Sequence, residues 1–154
     1  MNKLSYLAIA FILGFFVFVV EIAALRQLGI FFGSGIVATG IIILIFILGM
    51  SCGTLTYIKF KNLGNLSAFI AAFSVAILAN CTKLAVYAPS KYQVLVAYSF
   101  VIPLFLFGWA CSYWYVKTIG LREDLVYFII SNSIGSLVGC LAPLMFFATI
   151  GVSS

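Results

Sequence analysis

The residues most able to do chemistry are one carboxylate and two cations placed inside long apolar stretches. Glu21 lies within FVFVVEIAALRQLG (16–29) and is the only acidic residue in the first 122 positions. Arg26 follows five positions later, and Lys83 lies in a third apolar stretch. Ionisable groups in apolar spans are costly, and they typically pair with one another or mark an ion pathway. We therefore predict an intramembrane charge pair between Glu21 and either Arg26 or Lys83, with a cation-binding or proton-carrying Glu21 as the alternative.

The elements that carry these residues are predicted from composition and apolar length. Hydrophobic residues make up 66% of the 154 positions and charged residues only 7%, whereas soluble domains carry about 25% charged residues. A helix needs about 20 mainly apolar residues to cross a bilayer, and five stretches approach this length. The sequence predicts an all-α, polytopic membrane helix bundle that forms one domain, with spans at about 4–25, 35–58, 66–88, 93–116 and 125–152.

The distribution of lysine and arginine predicts the orientation of this bundle. In the five-span arrangement five basic residues fall on one side and two on the other: Lys3, Lys59, Lys61, Lys117 and Arg122 against Arg26 and Lys91. Positive residues favour the cytoplasmic side. We therefore expect a multi-pass protein of the plasma (bacterial inner) membrane with a cytoplasmic amino terminus and an external carboxyl terminus. Because the net charge of +5 is scattered and forms no basic patch, nucleic-acid binding is not expected.

Two helix faces carry small residues at a spacing of four. Gly49 and Gly53 lie on the second span, and Ser131, Gly135 and Gly139 lie on the fifth. Small residues at this spacing let two helix backbones approach closely, which drives helix association in lipid. These residues are predicted to pack helices, with a sliding or gating surface as the alternative.

Two asparagines are the other polar side chains that the sequence singles out. Asn132 stands beside the small residues of the fifth span and is predicted to form an interhelical hydrogen bond. Asn80 precedes Lys83 by three positions and therefore shares its helix face. Together the asparagines are candidates for lining a polar pocket.

Catalysis and metal binding are not expected from this chain. It contains no histidine, and its four cysteines lie singly in separate spans: Cys52, Cys81, Cys111 and Cys140. The spacings typical of zinc or haem sites are therefore missing. No nucleophile–base pair and no phosphate-binding glycine loop is found, so we expect no enzymatic activity, no cofactor and no metal.

Several motifs together resemble the amino-terminal membrane domain of spermidine-synthase-like proteins, which are often described as fused transporter and spermidine synthase proteins. Glu21 is followed by Arg26, then by a GSG turn at 33–35 and by FILGMSCG at 46–53. The segment SNSIGSLVGCLAPL (131–144) is similar to an asparagine and double-glycine helix of that family, and IPLFLFG (102–108) to its proline-then-glycine helix. The resemblance implies a membrane module that serves as an anchor, a scaffold or a transporter of a small cationic metabolite. The soluble aminopropyltransferase domain has no counterpart here, so polyamine synthesis is not implied.

The sequence thus predicts an integral membrane subunit or scaffold that packs with other membrane proteins through glycine-rich helix faces. The expected partners are the lipid bilayer and either further copies of the chain or a larger membrane complex. The alternatives are a small oligomeric transporter of a cationic, polyamine-like metabolite or of a proton-coupled substrate through Glu21, and a membrane anchor for a separate soluble synthase.

Overall fold

The structure is a computed structural model in which the described residues are 3–32, 36–87, 99–119 and 125–151. Side chains are described for residues 4–25, 39–78, 80, 99–119, 126–142 and 145. Within these ranges the chain forms five helices and no strand: α1 (Lys3–Phe32), α2 (Ile36–Lys59), α3 (Gly64–Tyr87), α4 (Val101–Ile119) and α5 (Leu125–Gly151). The prediction of an all-α fold is confirmed.

The helix bounds differ from the predicted spans mainly at the end of the first helix. Helix α1 continues to Phe32 rather than ending near Leu25, and α4 is described from Val101. No proline or clustered charge interrupts the chain between Leu25 and Phe32, so helical hydrogen bonding continues past the apolar stretch. Residues 93–98 lie outside the described residues.

A short connection, residues 60–63, joins α2 to α3. The amide of Phe60 donates to the Thr56 carbonyl at 2.7 Å and closes the last turn of α2, and the amide of Ser67 donates to the Leu63 carbonyl at 2.8 Å and opens α3. Lys59 ends α2, where a cation complements the negative end of the helix dipole. A connection of this length is typical of an αα-hairpin, in which consecutive helices are antiparallel.

The helices divide into two compact units. One consists of Met1–Ala23 with Lys117–Ser154, and the other of Ala24–Val116. In the first unit α1 pairs with α5, and in the second α2 pairs with α4. The core of each unit contains large aromatic side chains that are nearly or fully buried, Tyr6 and Phe128 in the first and Phe100 and Tyr113 in the second.

Candidate functional site

The pairing of α2 with α4 is built on the predicted glycines. A Cβ atom at Gly49 would overlap the carbonyl oxygen of Phe105, and one at Gly53 would overlap that of Trp109. On the opposite helix, a Cβ at Gly108 would come within 2.8 Å of the Phe46 carbonyl oxygen. Backbone therefore contacts backbone at three points, and none of the three positions has room for a side chain.

The two helices of this pair run in the same direction. Contacts advance together along both: Phe46 with Phe107, Gly53 with Trp109, Thr54 with Ser112, and Tyr57 with Tyr113. A chain that leaves α2 must therefore travel back along the bundle before it enters α4. Helix α3, which has 24 residues and is about 36 Å long at 1.5 Å per residue, lies between them in the chain.

Polar side chains cross the α2–α4 contact next to the glycines. The hydroxyls of Thr54 and Ser112 lie 2.7 Å apart and share a hydrogen bond. The indole N–H of Trp109 donates to the Thr56 hydroxyl at 3.0 Å, and that hydroxyl donates to the Cys52 carbonyl at 2.7 Å. These bonds join side chains at fixed positions of the two helices, so they set the register of a contact in which the backbones already meet at the glycines.

Tyr113 attaches α4 to the connection between α2 and α3. Its hydroxyl donates to the Phe60 carbonyl at 3.0 Å and accepts from the Leu63 amide at 2.9 Å. The ring is fully buried and packs edge-on against Tyr57, with centroids 5.3 Å apart. One side chain therefore satisfies two backbone groups that the helix ends leave open.

The pairing of α1 with α5 uses the other predicted face. A Cβ at Gly135 would overlap the Phe11 carbonyl oxygen, and one at Gly139 that of Phe15. The Ser131 hydroxyl donates to the Leu7 carbonyl at 2.8 Å. Along α1 the contacting residues are Leu7, Phe11 and Phe15, and their partners along α5 follow in the same order. Helices α1 and α5 are therefore also parallel.

Asn132 contributes its backbone to this pair. A Cβ at Gly14 would overlap the Asn132 carbonyl oxygen, and the same oxygen accepts from the Ser136 hydroxyl at 2.9 Å. Asn80 lies on the exposed side of α3, where its amide donates to the Ala76 carbonyl at 2.8 Å. The structure therefore gives the two asparagines different environments, and a polar pocket containing both stays a prediction.

The predicted charge pair involves residues outside the described side chains. Glu21 is half-buried on α1, within the apolar stretch Leu4–Leu25. The side chains of Arg26 and Lys83 lie outside the described residues, so the pairing of Glu21 stays a prediction. Among the described residues no group of three cysteine, aspartate or glutamate side chains is close enough to hold a metal ion.

Sequence reasoning missed the glycines that complete each contact. Gly14 and Gly108 have no second glycine four positions away, and their small neighbours at that spacing are Ala10 and Ser112. These two rows were not singled out as packing faces, and Gly108 was noted only within the IPLFLFG motif. The signal that finds them is a phenylalanine three positions earlier, at Phe11 and Phe105, whose carbonyl meets a glycine of the opposite helix.

Two helical stretches of the described residues are long and apolar enough to cross a membrane, Leu4–Leu25 and Thr39–Lys59. They are compatible with membrane insertion. Two further apolar stretches, Gly64–Leu78 and Val126–Ala142, are shorter. The number of spans and their orientation stay predictions.

Comparisons of the chain with protein-family models, with curated proteins and with solved structures find no match. The resemblance to the membrane domain of spermidine-synthase-like proteins therefore stays a prediction.

Proposed function

We propose that this protein is an integral membrane subunit or scaffold that crosses the bilayer five times. The main support for membrane insertion is that, among the described residues, many large apolar side chains are exposed while several polar side chains are buried. Leu55 on α2 is 66% exposed and Leu137 on α5 is 63% exposed, whereas Ser67 and Ser74 on α3 are fully buried. A surface of this kind on a soluble monomer would promote aggregation, whereas in a bilayer it meets lipid chains.

The parallel pairs support the number of spans. Spans that alternate in direction make the second and fourth parallel and the first and fifth parallel, as α2 with α4 and α1 with α5 are. An arrangement in which only Leu4–Leu25 and Thr39–Lys59 crossed the membrane would give no reason for the later helices to expose leucine, isoleucine and methionine. With five spans the termini face opposite sides, and the lysine and arginine distribution favours a cytoplasmic amino terminus in a bacterial inner membrane.

The surface proposed for partners lies on α3. The glycine faces of α2 and α5 are covered by helices of the same chain, so a partner has to bind elsewhere. Helix α3 exposes small residues at a spacing of four, and the exposed Asn80 continues this row: Ala68, Ala72 and Ala76. Because an amide that faces lipid lacks the partners that water would supply, Asn80 favours contact with a polar group of another chain. A second copy of this chain or a larger membrane protein would meet both requirements.

A substitution in this row tests the proposed partner surface. We expect Ala72→Ile to release the partner, since a branched side chain separates helices that pack through small residues. The matched control is Ala8→Ile, at an exposed alanine of α1. The tagged protein is purified in mild detergent, its mass is measured by light scattering, and co-purifying proteins are identified.

A stoichiometric membrane partner or a defined homo-oligomer that Ala72→Ile loses and Ala8→Ile keeps would support the subunit. A monomeric wild-type protein, or equal behaviour of the two variants, would contradict it. A stoichiometric soluble enzyme would instead favour the role of membrane anchor for a separate synthase.

Transport of a cation is the second candidate function, favoured by the half-buried carboxylate of Glu21 in an apolar helix. In proteoliposomes, Glu21→Gln is then expected to abolish coupled proton movement while the protein keeps its unfolding temperature. If Glu21 has only a structural role, the same change lowers stability or assembly yield instead.

A further inference from the structure

Two segments far apart in the chain have the same pattern of residues. Residues 5–15 of α1 read SYLAIAFILGF, and residues 99–109, which lead into α4, read SFVIPLFLFGW. Aligned without a gap, they share the serine, the central phenylalanine and the glycine. Two more aromatic positions correspond, since Tyr6 matches Phe100 and Phe15 matches Trp109, whereas Phe107 matches Leu13.

The two segments share a class of exposure at eight of their eleven aligned positions. The exceptions are Pro103 and Phe107, which are buried where Ile9 and Leu13 are half-buried, and Leu106, which is half-buried where Ile12 is exposed. Tyr6 and Phe100 are buried at the start, and Gly14 and Gly108 are buried at the helix contact. Ala8 and Ile102, which correspond, are both exposed. Shared burial at helical spacing means that the same face of each helix is used for packing.

Helices α2 and α5 correspond more closely still. IILIFILGMSCGTLT (42–56) aligns with FIISNSIGSLVGCLA (128–142), so that Gly49 and Gly53 match Gly135 and Gly139. Along these segments each position falls in the same class of exposure as its counterpart, except that Phe46 is buried and Asn132 is half-buried.

The contacts repeat as well. In each pair, two glycines four apart meet the carbonyl oxygens of two aromatic residues four apart: Phe105 and Trp109 in one pair, Phe11 and Phe15 in the other. Each pair also has a contact in the opposite sense. A glycine on the helix that carries the two aromatic residues meets a carbonyl oxygen of the double-glycine helix, three positions before its first glycine. Gly108 meets Phe46, and Gly14 meets Asn132.

We propose that α1–α2 and α4–α5 are two copies of one two-helix repeat, joined by α3 and inserted into the membrane in opposite orientations. Each copy consists of an aromatic–glycine helix, α1 or α4, followed by a double-glycine helix, α2 or α5. The aromatic–glycine helix of each copy packs against the double-glycine helix of the other copy, α1 with α5 and α4 with α2. The correspondence of sequence, exposure and backbone contact carries the repeat.

The opposite orientation follows from the connectivity of a membrane-inserted chain. In the membrane arrangement proposed above, the three residues 33–35 between α1 and α2 are too few to cross a bilayer, which requires about 20 helical residues. The chain therefore crosses the membrane in opposite directions in these two successive spans. Because α4 is parallel to α2, it enters the membrane from the side opposite to α1. This step rests on the membrane insertion proposed above.

Inverted repeats of this kind form the framework of many secondary transporters, in which one repeat rocks against the other. The repeat therefore deepens the second candidate function, solute transport. The two copies differ in chemistry at Glu21, because its counterpart in the second copy is Tyr115. A single carboxylate in the described helices favours a cation as the transported solute.

Labelling of equivalent positions tests the opposite orientation. In a variant whose four native cysteines are replaced by alanine, Ser5→Cys and Ser99→Cys are introduced singly at corresponding exposed positions. We expect a membrane-impermeant maleimide to label one position in intact cells and the other only after the membrane is opened. Labelling of both from the same side would overturn the inverted arrangement, whereas release of the protein from membranes by alkaline carbonate would overturn membrane insertion itself.

Exchange of the corresponding segments tests the repeat. Changing residues 11–15 to the sequence of 105–109 requires only Ile12→Leu, Leu13→Phe and Phe15→Trp, and we expect the unfolding temperature to fall by less than that of the control. The control moves the glycine by one position, with Gly14→Phe and Phe15→Gly, so that a side chain meets the Asn132 carbonyl. Equal losses from the exchange and the control would overturn the equivalence of α1 and α4.

Discussion

The hydroxyl of Tyr113 is expected to be a main determinant of how α4 is held against the α2–α3 connection. Tyr113→Phe keeps the buried ring and its edge-on contact with Tyr57 but removes the bonds to the Phe60 carbonyl and the Leu63 amide. Each net hydrogen bond stabilises by about 0.5–1.5 kcal/mol. The loss of both therefore gives an expected decrease of about 1–3 kcal/mol in the free energy of unfolding. Because Tyr113 is fully buried, water cannot take the place of the hydroxyl without local opening.

Two measurements test this expectation. The first is the free energy of unfolding in mixed micelles, titrated with a denaturing detergent. The second is hydrogen exchange at the Leu63 amide, which should become faster once its acceptor is removed. The control is Tyr57→Phe, which keeps the ring contact and removes a hydroxyl that bonds to no other described residue.

The reasoning would be refuted by a Tyr113→Phe protein as stable as the wild type, or by an equal loss in the Tyr57→Phe control. Loss of stability without faster exchange at Leu63 would also contradict the assigned hydrogen bonds, because it would mean that the hydroxyl acts elsewhere.

Two further predictions concern the glycine contacts and the hydrogen bond beside them. Gly53→Ala should lower the free energy of unfolding by about 1–3 kcal/mol, as expected for overpacking, because the added Cβ overlaps the Trp109 carbonyl. Gly40→Ala, in the same helix with nothing within 4 Å, should instead be neutral or raise it by up to about 1 kcal/mol through helix propensity; equal effects would contradict the packing geometry. Ser131→Ala should cost about 0.6 kcal/mol, the average for a hydrogen bond between membrane helices, whereas Ser133→Ala at an exposed position should cost less, and detergent titration of both decides between them.

Local sequence accounts for several features of the fold. Long apolar runs with few charges predict helices, and the described residues form helices and no strand. Residues four apart lie on one helix face, so the spacing of Gly49 and Gly53, and of Gly135 and Gly139, was enough to mark the faces that the structure uses for packing. Helix ends were less accurate, as at α1, because no residue after Leu25 forces the helix to stop.

The partner of each face was decided only by tertiary structure. A double-glycine face accepts any helix that brings backbone close, so nothing within α2 indicates that it will pack against α4 rather than α1. The same holds for the Tyr113 hydroxyl, whose acceptor and donor lie about 50 positions earlier in the chain. The sequence by itself determined that the protein is helical and apolar, and it marked the double-glycine faces of α2 and α5 along which helices approach closely. The tertiary structure decided which helices meet and that each pair is parallel. The glycines contact backbone carbonyl groups, and because these are the same in every residue, no side-chain pattern identifies the partner helix.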